Sequence, residues 1–316
     1  MPSAKKAPEL LSIGELAEAT GVSPDTIRVW ERRYGAPKPV RLPSGHRRYT
    51  PEQLRWLRRV VEAVSAGHRP GVIVPQDDAA LEQLLERQRS SPPPADIGEW
   101  MELLRRFDAV ALSTALRGSY ERQGATEFVS RTLGPLLQTV GRAWAGGNME
   151  VRHEHFLTEL LHDLLRGLRL GIGAASSGPT LLLCTLEEDL HDLPVQMAAL
   201  IAAEKGVRVR LLGRDTPLDQ VLAAAKEMGV DAVCAPVPIV LASPDQERLV
   251  LRLRAGLPNS VELCIGWQDA RFTRRPPRGV TVVRELGEYD LWLRELLRPR
   301  TLPFASLAAG AAARMA

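Results

Sequence analysis

One imidazole stands apart from the rest of the chain's chemistry. His191 lies in Glu187-Glu188-Asp189-Leu190-His191-Asp192-Leu193-Pro194, between the apolar run Thr180 to Thr185 and a helix-like run from Val195 to Glu204. A strand-to-helix turn of this kind forms the rim of an open α/β sheet, where ligands bind. The residues alone leave two roles open, a metal or cofactor ligand and a polar surface histidine. His153-Glu154-His155 is a second cluster, but Leu157 stands where the HExxH pattern of a zinc protease needs its second histidine. His155 and His162 share a helical face without a third ligand. Cys184, Cys234 and Cys264 each end a predicted strand, and a 2-1-3-4-5 strand order would set them side by side. Packing of small apolar residues is the plainer account of that row. No separate catalytic constellation is visible, so an enzyme is not the expectation.

The first seventy residues carry different chemistry. They hold thirteen Lys or Arg against seven Asp or Glu, a balance of +6, which leaves −3 for the remainder of a chain whose formal charge is +3. A basic domain on a near-neutral body suggests a nucleic-acid module joined to a partner module. Ser12 to Ala19 has a Ser cap, an acid three residues on and apolar residues at helical spacing. Thr20-Gly21-Val22 breaks it, Ser23-Pro24 restarts a helix, and Gly35 ends that second helix after Tyr34. Two short helices joined by a tight turn make a helix-turn-helix, with the second helix suited to the major groove. A basic hairpin follows, around Pro43-Ser44-Gly45, and a third helix runs from Thr50 to about Ala66. The expected DNA contacts are Arg28, Trp30, Arg32, Arg33 and Tyr34 on the second helix, with Lys38, Arg41, His46, Arg47, Arg48 and Tyr49 on the hairpin. Arg41, Arg47 and Arg48 are placed to clamp phosphates.

The remaining elements divide the chain further. A helix is predicted from Asp77 to Arg89, before the linker Ser90-Ser91-Pro92-Pro93-Pro94. Four apolar-striped stretches, about Asp96 to Arg106, Asp108 to Arg122, Thr126 to Trp144 and Val151 to Leu170, read as a four-helix bundle. Strands at Leu181 to Thr185, Val207 to Leu212, Ala232 to Ala235, Val261 to Ile265 and Val280 to Val283 alternate with helices, the pattern of a doubly wound parallel sheet. The expected organisation is therefore a tail (1–10), a winged helix-turn-helix (11–75), a helix and linker (76–95), the bundle (96–175), the α/β domain (179–298) and a second tail (299–316). Hydrophobic content of 45% and charged content of 25% suit a soluble globular protein. No apolar run is long enough for a membrane span, and the N-terminus lacks a signal-peptide core. Three cysteines without a CxxC pair point to a reducing cytoplasm.

The strings Ile27-Arg28-Val29-Trp30-Glu31-Arg32-Arg33-Tyr34-Gly35 and Ser44-Gly45-His46-Arg47-Arg48-Tyr49 resemble the MerR family of winged helix-turn-helix regulators, in its light-sensing, cobalamin-dependent branch. The resemblance covers about residues 11 to 298. Trp144, followed by Gly146-Gly147-Asn148 and Glu154-His155, is similar to the signature of the bundle that covers the upper face of adenosylcobalamin. There the resemblance implies that Trp144 packs on the adenosyl group while Glu154 and His155 make polar contacts. Asp189-x-His191 is similar to the loop of cobalamin-binding domains, which implies His191 as lower cobalt ligand and Asp189 as the partner that orients it. Gly266 matches a glycine that lets the backbone approach the nucleotide tail. The pattern departs from the family at Ala145, where a histidine takes over cobalt after illumination, and at Pro194, Ala235, Trp267 and Asp269 around the tail slot. The resemblance implies a repressor that binds promoter DNA and assembles with itself, as a dimer or a dark tetramer that light takes apart. The alternative is a cobalamin-independent regulator whose α/β domain serves oligomerisation, a protein partner or another ligand.

Overall fold

Ser12 starts the first helix by a reciprocal cap: its hydroxyl accepts from the Glu15 N–H, and its own N–H donates to the Glu15 carboxylate at 2.6 Å. In this computed structural model, residues 10–65, 70–87, 96–173, 177–187, 189, 191–236, 244–266 and 278–298 are described. Helix α1 (Ile13–Glu18) is followed by α2 (Pro24–Tyr34), whose Ser23 cap and first-turn proline fix its start. Gly35 ends α2 at φ +72°, a left-handed conformation that glycine adopts without steric cost. Strands β1 (Val40–Arg41) and β2 (Arg47–Arg48) pair antiparallel as the wing. Helices α3 (Pro51–Ser65), α4 (Pro70–Ile73) and α5 (Asp78–Arg87) complete this region. Leu16, Ile27, Trp30, Tyr49, Leu57 and Leu81 form its core.

The bundle consists of α6 (Ile97–Arg105), α7 (Ala109–Gln123), a long third helix and α10 (Val151–Ile172). The third helix runs without a break through α8 (Ala125–Glu127), a π-helical turn (Phe128–Leu133) and α9 (Gly134–Ala145). The widened turn has a local cause in Pro135, which lacks an N–H for the carbonyl four residues earlier and crowds it with its ring. Helical spacing alone does not report such a change of pitch.

The C-terminal half alternates β3 (Thr180–Leu186), α11 (Leu193–Glu204), β4 (Arg208–Thr216), α12 (Leu218–Glu227), β5 (Ala232–Pro236), α13 (Pro244–Gly256), β6 (Glu262–Gly266), β7 (Val280–Val283) and α14 (Leu286–Leu296). The strands are parallel, in the order β4-β3-β5-β6-β7. This is the expected doubly wound sheet, with β3 an interior strand buried along its whole length. Strand parity sends Leu181 and Leu183 to one core and Leu182, Cys184 and Leu186 to the other. The bundle shares the first of these cores, because α10 lies on α11. The same parity breaks the expected cysteine row. Cys234 stands opposite Cys264 in one core, but Cys234 pairs in register with Leu183, so Cys184 projects from the opposite face. Among the described residues, no helix is long and apolar enough to cross a membrane.

Candidate functional site

Two surfaces bring the singled-out residues together. The first is the face built by α2 and the wing. Arg28, Arg32 and Arg33 are exposed on α2, as are Lys38, Arg41 and His46 around the wing. Arg28 is paired with Asp25 at 2.6 Å, and the Arg33 guanidinium lies 5.5 Å from the Tyr34 ring centre. Arg47 and Arg48 are half-buried along β2.

Two expected DNA contacts need correction. Trp30 is 5% exposed and Tyr49 fully buried, so neither reaches a groove. Ile27 and Trp30 are three apart on α2 and form its inward stripe, which burial favours over exposure for so large an apolar ring. Tyr49 spends its hydroxyl inside the domain, donating to Glu31 at 2.5 Å. Burial and that carboxylate together push its phenol pKa far up. The other oxygen of Glu31 accepts from Arg47 Nε at 3.0 Å. Glu31 thus fixes the wing to the second helix. It was not among the expected site residues, although an acid between Trp30 and Arg32 on a basic helix is the visible signal.

The second surface is the rim after β3. Asp189 is buried, and its Oδ1 accepts from both the N–H of His191, at 2.9 Å, and its ring Nδ1, at 3.0 Å. An ionised carboxylate only accepts, so Nδ1 carries the proton and the lone pair of the neutral ring sits on Nε2. The His191 side chain is half exposed. Its pKa is raised, first by the bond to Asp189, and further by the nearby charges of Glu154 and Asp192, against an opposing effect of burial.

Neighbouring side chains pin this loop. Thr185 donates from its hydroxyl to the Asp189 carbonyl at 2.5 Å and accepts from the Asp215 N–H at 2.8 Å. Asp215 holds φ at +50° and also donates to the Asp189 carbonyl. Glu187 accepts from the Leu218 N–H, at the start of α12. His162 on α10 meets Asp192 at 2.8 Å and so ties the bundle to the rim. His162 is considered in the sequence only as a metal partner of His155, and Glu187 and Asp192 only as loop residues, since the contacts of His162 with Asp192 and of Glu187 with Leu218 join elements distant in sequence.

Of the remaining expected residues, Glu154 accepts from Thr158 at 3.0 Å and stands close enough to His191 to act on its charge. His155 turns outward, 73% exposed, and pairs with Glu154 at 3.2 Å. His153 is buried, its Nδ1 accepts from the Glu150 N–H, and its ring stacks on Phe107 with centroids 4.7 Å apart. Trp144 is half-buried against the shared core and carries the Arg58 guanidinium 3.9 Å from its ring centre. Ala145 closes α9, Pro194 falls in the first turn of α11, Ala235 is buried in β5, and Gly266 ends β6 beside Pro236. Trp267 and Asp269 lie outside the described residues. Among the described residues, no group of three His, Cys, Asp or Glu is arranged to hold a metal on its own.

Residues 11–74 match the MerR HTH family regulatory protein. The chain is 29% identical over 282 residues to the HTH-type transcriptional repressor CarH of Myxococcus xanthus, covering 87% of this chain and 94% of that protein. It is 24% identical over 302 residues to the repressor CarA of the same organism, covering 84% of this chain and 99% of that one. Among solved structures, the monomethylamine corrinoid protein of Methanosarcina barkeri aligns with a TM-score of 0.50 at 15% identity, over 62% of this chain and 96% of that one. That last likeness is one of fold.

Proposed function

We propose, on the premise that this chain is a MerR-type transcription regulator, that it is a repressor whose bundle and α/β domain form a cobalamin sensor controlling self-assembly. The observation that carries this reading is the Asp189–His191 pair. A buried carboxylate holds Nδ1, leaving Nε2 as a donor to a soft cation at the rim of the sheet. That donor set fits the cobalt end of a corrinoid. His191 would be the lower ligand, Asp189 its orienting partner, and Trp144 with Glu154 the upper cover; His155, turned outward, would join only by rotating inward. Adenosylcobalamin in this place would supply a chromophore whose cobalt–carbon bond light breaks. Arg32, Arg33, Lys38, Arg41 and His46, with Arg28, Arg47 and Arg48, are the residues for promoter DNA, the last two on phosphates. Ala145 brings no histidine to the upper face, and His153 is held by Glu150 and Phe107, so a histidine-capped product is not part of this reading.

Pro194 and Ala235 favour a second reading, in which the same domain assembles the regulator, or takes a protein or other ligand, without cobalamin. Ala235 is buried and brings no hydroxyl to the end of β5. One experiment separates the two. The protein is purified with adenosylcobalamin in darkness, and its absorption spectrum and oligomeric size are followed before and after green light. A coloured protein that changes size supports the sensor; a colourless one whose size ignores both selects the second reading. His191→Ala is expected to remove the lower-ligand signature from the spectrum, and an unchanged spectrum takes that role from His191.

A further inference from the structure

Trp144 joins two parts of the molecule that the sequence keeps far apart. Its indole packs on the core that the bundle shares with the sheet. Over its ring lies the guanidinium of Arg58, from α3 of the DNA-binding region, 3.9 Å from the ring centre. Arg58 Nη1 also donates to the Trp144 carbonyl at 3.3 Å, and α3 runs against α9 around this point. A guanidinium is weakly hydrated and favours an aromatic face, which accounts for the stack. Two donors in it are nevertheless unmatched. Among the described residues, Arg58 Nε and Trp144 Nε1 are both buried without a hydrogen-bond acceptor. Buried N–H groups without acceptors weigh against the contact they sit in. The stack is attractive, but it buries Arg58 Nε at a cost that a planar group stacking on the same face does not bear.

With the indole backed by the core, a flat ring can lie on Trp144 where the guanidinium now lies. We infer that Arg58 docks the DNA-binding domain onto the bundle, and that a planar ligand ring, such as a purine nucleoside carries, competes with it for the Trp144 face and so undocks the domain. The identity of that ring as the adenosyl group rests on the sensor reading above; the docking contact does not. Arg58 is a positioning residue in this scheme, acting on DNA recognition through the placement of α3.

The test uses the full-length chain as wild type, Arg58→Ala and Arg58→Lys. Titrated with adenosylcobalamin in the dark, Arg58→Ala should bind about twofold to thirtyfold tighter, the range released by removing a cation–π competitor. Arg58→Lys, which keeps the charge but loses the planar stack, should fall between. Equal or weaker binding by Arg58→Ala overturns the competition. Hydrogen exchange reads the docking without a chromophore. In protein purified without cobalamin, Arg58→Ala should raise exchange along α3 and α9, and wild type should reach that level only on adding adenosylcobalamin. No rise in Arg58→Ala overturns the docking. Wild type that takes up no cobalamin refutes the sensor reading and the competition with it, while the exchange result still decides the docking contact.

Discussion

Two carboxylates, a partly buried Glu31 under the wing and a buried Asp189 under the rim, do similar work to different degrees of completion. Glu31 uses one oxygen on the Tyr49 hydroxyl and the other on Arg47. Asp189 uses Oδ1 twice, on the backbone and ring of His191, while its buried Oδ2 has no hydrogen-bond partner among the described residues. The wing is thus a finished fixture, with both oxygens of its carboxylate committed. The rim holds one imidazole in place and keeps an acceptor in reserve. Recognition of an invariant phosphate backbone suits the first arrangement, and a site that must accept a ligand and release it suits the second.

The largest expected effect tests that contrast directly. Glu31→Ala leaves the Tyr49 hydroxyl buried without an acceptor and Arg47 without its partner, and should cost the winged domain on the order of 3 kcal/mol. Asp189→Asn keeps an acceptor for the His191 N–H and disturbs only the ring contact, for about 1 kcal/mol. Urea denaturation followed by circular dichroism measures both. Equal losses would mean that the two carboxylates are equally committed, and the contrast would fail.

How much of this was legible beforehand depends on the range of the signal. The capping box at Ser12, the Pro24 start and the Gly35 stop followed from local chemistry, and the strand order from the strand–helix alternation of a doubly wound sheet. Trp30 and Tyr49 were misplaced because their residue types suit a DNA surface. Their positions, beside Ile27 and at the bridge between Tyr49 and Leu11, put them inside. The Asp189–His191 pair was readable because its partners are two residues apart. Glu31 with Arg47, His162 with Asp192 and Arg58 with Trp144 were not, since no periodicity links residues that only the fold brings together.

A smaller effect separates the two wing arginines. Arg48 donates to the Arg47 carbonyl and acts on the Glu15 carboxylate only through space, with no ion pair among the described residues, whereas the charge of Arg47 is matched by Glu31. On a duplex of random sequence, Arg48→Ala should lower the slope of log affinity against log salt by about 1. Arg47→Ala should lower it by less, because part of its charge already answers to Glu31. A larger change for Arg47 would show that Glu31 gives the arginine up when DNA is present.

The smallest effect is a pH dependence confined to the wing. The Tyr49 phenol is raised above its ordinary pKa near 10 by burial and then by Glu31. A group whose folded pKa is raised contributes stability that is fully present below the unfolded value and is lost as pH rises through the folded one. The winged domain should therefore weaken above about pH 10, where the unfolded chain ionises Tyr49 and the folded chain does not. Glu31→Gln keeps an acceptor for the hydroxyl but removes the negative charge, so phenolate absorbance should appear at lower pH than in wild type. Burial alone still holds Tyr49 above the ordinary value near 10. If Glu31→Gln leaves the titration where it was, desolvation rather than the carboxylate sets it, and Glu31 acts on the wing through Arg47 alone.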